Sequence, residues 1–369
     1  MNLKLTRRQL VQSVTATALA SQLPLLHAQE TRRFEPKPAG WRRFEVTTTV
    51  QLKGEKGAST IWLPIPSLDT PWQRTQNNTW SGNAAHISTA SDGRTGAKVL
   101  VAKYDGGGAD PTLVLTNVID TQNRAVDWQA KAPLPADKAD LHQWLQPSEL
   151  IPLDGIVKKV ARQITLGARN DREKAQRIYD WVVVSTYREP KVKGCGTGDI
   201  KAMLESGNYS GKCADINALF VGLCRASGIP ARDIYGIRLV PSAFGYRELG
   251  GNPSSLKGAQ HCRAEVYLQN AGWVAMDPAD VTKVMRQETP EWIKDAGHPI
   301  VAPVRKALFG SWEGNWMGYN SASDIKLPGA QQAKLGFFMY PQAETAAGAK
   351  DPYDPDSFVY QITAREINA

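Results

Sequence analysis

The chain has 369 residues, 42% of them hydrophobic and 22% charged, and 44 Lys and Arg against 36 Asp and Glu give a formal net charge of +8. That length suits two domains and an appendage. The basic residues are scattered, as in Lys158-Lys159 and Lys191-Val192-Lys193, with no clustered cationic face and no recognisable binding module, which argues against nucleic acid as a partner.

Met1 to Arg8 carries Lys4, Arg7 and Arg8 and no acid; a modestly apolar run from Leu10 to Leu26 follows, then His27-Ala28-Gln29. With Thr6-Arg7-Arg8-Gln9-Leu10, this order looks like a twin-arginine signal over residues 1–28, cleaved near Ala28. It predicts contact with the twin-arginine export machinery and a periplasmic chain of about 341 residues carrying about +5. Internal Gln, Ser and Thr make the run poorly apolar, and no other segment is long and apolar enough to span a membrane, so no stable insertion is expected.

Residues 40–130 hold alternating or β-rich runs, among them Arg43 to Leu52, Ala58 to Pro64, Lys98 to Tyr104 and Pro111 to Asn117, separated by Gly, Asn, Asp and Pro turns. They predict an antiparallel, all-β, sandwich-like domain. Trp62, Trp72 and Trp80 are expected to pack there. A linker rich in Ala, Pro, Asp and Lys near Lys131 to Asp140 leads into a domain over 140–290, which opens with helical stripes at Ile156-Val157-Val160 and Arg177 to Val183. The Gly194-Cys195-Gly196-Thr197-Gly198-Asp199 loop that follows lacks both a P-loop lysine and a dinucleotide fingerprint, so it is a rim of the site or a turn, and no cofactor is predicted.

Cys213 follows Gly211-Lys212 and begins a helix in which Ile216, Leu219, Phe220 and Leu223 share a face; Gly228-Ile229-Pro230 ends it. Unpaired N–H groups and the macrodipole at a helix start favour a thiolate, the nucleophilic form of cysteine. His261 opens the run to Leu268, and Gln269-Asn270-Ala271-Gly272 separates it from Trp273-Val274-Ala275-Met276-Asp277-Pro278, which reads as a hairpin. Strand side chains alternate in face. Pairing Leu268 with Gly272 leaves a three-residue loop, sets Asp277 opposite Arg263 and makes His261 and Asp277 same-face diagonal neighbours, roughly 7 to 8 Å apart at the backbone. A two-residue loop at Asn270-Ala271 would separate them. In this reading Cys213 attacks an acyl carbon, His261 takes and returns the proton, and Asp277 orients the imidazole and stabilises its charge.

These segments, with Arg225-Ala226-Ser227-Gly228-Ile229-Pro230-Ala231-Arg232, resemble in order and spacing the transglutaminase-like superfamily of papain-type cysteine enzymes over roughly residues 150 to 285. The resemblance implies an α+β fold: a helix-borne cysteine on an antiparallel sheet that carries histidine and aspartate. It also implies that Cys213, His261 and Asp277 are the catalytic triad. The chain departs from the family at Arg263, where an aromatic residue is frequent, and at Ala279, where a threonine is. The Cys213 N–H is a natural oxyanion donor; by resemblance the second comes from an upstream side chain, with Tyr187, Trp181 and Tyr209 as candidates.

Residues 291–369 form an aromatic-rich extension, with Trp312, Trp316, Tyr319, Phe337, Phe338 and Tyr340, expected to pack on the catalytic core. Four cysteines in an exported chain invite disulfides. Cys224 reads as buried packing, Cys262 should point away from the face carrying His261, and Cys195 is the candidate partner for a regulatory bond to Cys213. No Cys-x-x-Cys pair supports a zinc site, so no metal is predicted. The reading is a periplasmic acyl-transfer enzyme that hydrolyses peptide or isopeptide bonds in a peptide, protein or cell-envelope polymer. The alternatives are a crosslinking transglutaminase and a non-catalytic envelope binding protein on the same fold. An arylamine acetyltransferase is disfavoured, because an exported enzyme is separated from acetyl-coenzyme A and the arginine-glycine-glycine lead-in to the cysteine is absent.

Overall fold

In the first strand, β1 (Arg42–Gln51), alternation decides the fold: Phe44, Val46, Thr48 and Val50 are buried while the residues between them stay half-exposed. The structure, a computed structural model, describes residues 32–129, 137–354 and 356–368. The expected export signal at 1–28, its cleavage point and most of the expected linker lie outside these residues. Five strands follow: β2 (Ser59–Ile65), β3 (Gln73–Gly82), β4 (His86–Ser91), β5 (Lys98–Tyr104) and β6 (Thr112–Thr121). β6 pairs with β1 and β3, and β5 with β2 and β4, all antiparallel. The two sheets enclose an apolar layer that includes Val50, Ile61, Leu63, Leu100, Leu113 and Leu115. Trp62 and Trp72 are buried, whereas Trp80 is 41% exposed and does not serve packing.

After the two-residue β7 (Arg124–Ala125) come α1 (Lys138–Gln143), α2 (Gly155–Thr165) and α3 (Asp171–Ser185). The short strand β8 (Tyr187–Arg188), helix α4 (Ile200–Ser206) and short strand β9 (Ser210–Gly211) lead into α5 (Cys213–Ala226). Asn170 and Asp199 cap α3 and α4 through their side chains. Every residue of α5 from Cys213 to Arg225 is buried. A helix covered on all faces is a central one, and α5 packs on α2, α3 and the sheet that follows.

That sheet is built from β10 (Ala231–Arg238), β11 (Gln260–Leu268) and β12 (Gly272–Met276), and α6 (Pro278–Gln287) and α7 (Ala302–Ala307) follow it. β11 and β12 pair with Leu268 opposite Gly272 and Ala264 opposite Met276, the register with the three-residue loop. Gly272, at φ +68°, takes the left-handed conformation this turn requires.

The final eighty residues interleave with the rest rather than lying on one face of it. β13 (Ser311–Trp312) pairs with β7, and β14 (Trp316–Asn320) adds the outer strand beside β10. β15 (Gln342–Thr345) joins β2 and, with β16 (Gly348–Ala349), completes a five-stranded sheet; β17 (Val359–Ile367) joins β1 and completes a four-stranded one. Both sandwich sheets are therefore finished by the end of the chain. Among the described residues, no helix is long and apolar enough to cross a membrane.

Candidate active site

Cys213 is the first residue of α5, and the loop before it is tied to that helix. Asp215 is two residues on and buried. Its carboxylate accepts from the N–H groups of Lys212, Thr197 and Gly198, each at 2.9 Å, while the N–H of Ala214 donates to the Cys195 carbonyl at 2.9 Å. The glycine-rich loop is thus a strap over the helix N-terminus. Gly196 has φ +92°, and a Cβ there would stand 1.8 Å from Asp215 Oδ2, so no other residue fits.

The hairpin brings His261 and Asp277 together. His261 Nε2 lies 2.7 Å from Asp277 Oδ2, which leaves Nδ1 as the ring nitrogen not used by Asp277, and the imidazole lowers the Cys213 thiol. Asp277 is held by its second role as N-cap of α6: Oδ1 accepts from the N–H of Asp280 at 3.1 Å, and Pro278 occupies the first helical position.

Two partners, Asp280 and Asn217, were not singled out from the sequence. Asp280, one turn into α6, places Oδ2 3.3 Å from His261 Nε2 and pairs with the buried Arg238. Asn217, one turn after Cys213, donates to the Cys262 carbonyl at 2.8 Å and to Asp277 Oδ1 at 3.3 Å, and accepts from the N–H of Ala279 at 3.2 Å. The indoles of Trp316 and Trp312 donate to the carbonyls of His261 at 2.9 Å and Met276 at 3.2 Å. Arg263 lies 3.7 Å from Asp277, with its guanidinium over the rings of Trp312 and Trp316. The aromatic surface is present but comes from the tail.

The sequence profile of the transglutaminase-like superfamily matches residues 158–278. An uncharacterised protein of Haemophilus influenzae is 35% identical over 345 residues, covering 88% of this chain and 91% of that protein. The chain belongs to the transglutaminase-like superfamily. A candidate cysteine protease from Cytophaga hutchinsonii is 18% identical, with a TM-score of 0.49, over 89% of this chain and 99% of that one. The periplasmic domain of TgpA from Pseudomonas aeruginosa is 14% identical, with a TM-score of 0.33, over 75% and 98%. The fold is mixed helix and sheet: the transglutaminase-like core follows a strand-rich N-terminal region. Membership supports a cysteine-dependent enzyme of this superfamily.

Charge in this transglutaminase-like site is arranged for an ion pair. Burial opposes ionisation of Cys213, but hydrogen bonds from Cys195, Cys262 and His261, with the imidazolium charge, hold the thiol well below its ordinary value. Burial and Arg238 oppose protonation of His261, yet Asp280 and Asp277 outweigh them and raise it to about 9. Burial raises Asp277, and the neighbouring Asp280 raises it further. Burial lowers Arg263 to about 10, still cationic at neutral pH.

Cys262 also acts on the nucleophile: burial first, and then Cys213, raises its thiol well above the ordinary value. Alternation separates His261 from Cys262 within β11, but the nucleophile lies at the beginning of that strand, where both reach it. Cys195 also contacts Cys213; its sulfur lies 3.3 Å from the Gln260 carbonyl and accepts from the Tyr340 hydroxyl at 3.1 Å. All four thiols are buried and free. Cys224, fully buried in α5, is held above its ordinary value by burial and takes no part. Trp181 and Tyr209 pack edge to face, and the half-exposed Tyr187 packs on Trp292. His261, Asp277 and Asp280 offer ligand atoms within 4.8 Å of one another. Arg238 and Arg263 already supply positive charge there, so the set functions as a hydrogen-bond network.

Proposed function

We propose that this chain is an exported cysteine-dependent acyl-transfer enzyme that hydrolyses peptide or isopeptide amide bonds, with Cys213 as nucleophile, His261 as acid and base, and Asp277 as the group that orients His261. The observation that supports it most is the 2.7 Å contact of the buried His261 ring with Asp277, with His261 in turn lowering the Cys213 thiol and Asp280 and Asp277 raising the ring.

The thiolate attacks the amide carbonyl and forms the S–C bond, and the tetrahedral oxygen carries the charge until the C–N bond breaks. The imidazolium gives its proton to the departing amine, leaving a thioester and a neutral ring. Water then attacks the thioester; the ring accepts its proton, the acid is released and the thiolate returns. An amine in place of water would yield a new amide by the same steps.

An activity screen on envelope peptides and peptidoglycan fragments, with and without added amine, tests this reading against a Cys213→Ala blank. Cys213-dependent cleavage without amine is the expected result. Incorporation of the amine with no cleavage in its absence would make the protein a crosslinking enzyme, and no Cys213-dependent product would leave a binding protein.

A further inference from the structure

Beside the nucleophile is a cavity of about 250 Å³ that the chemistry above does not use. Its wall includes Cys195, which acts on the Cys213 thiol, and Lys212, which precedes Cys213 in the chain. Cys213 does not itself line the cavity, but its two neighbours do, so a group held there is close to the thiolate. Arg188, Lys212 and Lys257 line the cavity and no carboxylate does. Among the described residues none of the three forms an ion pair within 4 Å; the guanidinium of Arg188 is bonded only through Nε, to the neutral Gln287 side chain. Burial first, and then Arg188, lowers Lys212 from its ordinary value, against the pull of Cys195, Cys213 and Glu189, so positive charge is crowded here.

Gln260 also lines the cavity. It is 4% exposed, yet neither its amide nitrogen nor its amide oxygen has a partner. Buried amides are almost always bonded, and one left with a donor and an acceptor beside an open space is set for a ligand. Tyr340, Tyr353 and Tyr360, all from the interleaved tail, also line it, with the first two rings edge to face at 4.9 Å. The volume is below the usual range for a drug-sized ligand and suits one residue-sized group.

We infer that this cavity is the subsite for a carboxylate carried by the acyl donor within about one residue of the scissile carbonyl, the carboxylate meeting Arg188, Lys212 and Lys257 and the adjoining amide meeting Gln260. This rests on Cys213 being the nucleophile. The carboxylate comes either from an acidic side chain or from a chain end, and both present the same anion.

The test follows iodoacetamide labelling of Cys213 by mass spectrometry in the presence of three protectants. N-acetylglutamate α-amide carries a side-chain carboxylate, N-acetylglutamine a terminal one, and N-acetylglutamine α-amide none. At least one anionic protectant should act at a concentration at least tenfold below that of the neutral one, and the better of the two identifies the source. Lys257→Gln, at an exposed position, should reduce that preference several-fold, and Arg188→Gln should do the same by an independent route. Equal protection by all three compounds, or an undiminished preference in both variants, would overturn the inference. Failure of the nucleophile assignment has a separate signature: labelling without protectant would be slow and indifferent to His261→Ala.

Discussion

At the scale of single residues, the site depends on how many donors surround one sulfur. Cys213 is buried, and burial alone would keep it protonated; the Cys195, Cys262 and His261 contacts reverse that. Hydrogen bonds to a charged group contribute about 1.5–3 kcal/mol each. Replacing Cys195 or Cys262 by Ala should therefore raise the Cys213 pKa, measured by thiolate ultraviolet absorbance, and slow its alkylation several-fold at mildly acidic pH. No change in either variant would mean that His261 alone sets the thiol. The imidazole works in the opposite direction. A histidine raised in the folded state stabilises the fold fully below its ordinary 6.5, and that contribution is lost as pH rises through about 9. Turnover needs the imidazolium to protonate the leaving amine, so its alkaline limb should fall near pH 9, whereas alkylation, which needs only the thiolate, should not fall there.

At the scale of elements, three parts converge: the start of α5, the start of β11 and the N-cap of α6. Asn217 links all three. Asn217→Ala should cost about 1–3 kcal/mol in denaturant unfolding, because it leaves buried groups unpaired, and lower kcat/KM roughly 10- to 100-fold by loosening Asp277. Asn217→Asp keeps the shape but loses the donor, and should recover stability less than activity is lost. Gly196→Ala should slow Cys213 alkylation and lower stability, since the new Cβ would displace Asp215 from the strap. Much of this convergence was legible in the sequence. The α5 stripe follows from local periodicity, and the three-residue loop with the Leu268–Gly272 register is the one required to put His261 and Asp277 on one face. Asn217, however, reads as an ordinary polar residue in an apolar helix, and Asp280 as a first-turn acid; only the approach of β11 gives either a role. Alternation within β11 sets Cys262 apart from His261, whereas its interaction with Cys213 depends on a helix packed across the strand.

At the scale of the molecule, the sandwich and the catalytic sheet are sewn together by the tail. β15 and β17 find partners more than 250 residues away, as in Gln342 with Trp62 and Ile367 with Arg43, and pairings that distant leave no local signal. Gln73 of β3 illustrates the joint: its amide donates to the Gly318 carbonyl and accepts from the Gly318 N–H, both at 2.7 Å. Gln73→Ala should cost about 1–3 kcal/mol in urea unfolding and slow alkylation less than Asn217→Ala does. The same tail bonds the carbonyl of His261 through Trp316, so the long-range architecture reaches the strand that carries His261. The most direct test is the rate at which iodoacetamide labels Cys213 at about pH 6, below the ordinary thiol value of about 8.5. A preformed thiolate–imidazolium pair predicts labelling at least tenfold faster than in the denatured protein, abolished by His261→Ala. Labelling that is no faster than in the denatured protein and unaffected by that substitution would contradict it.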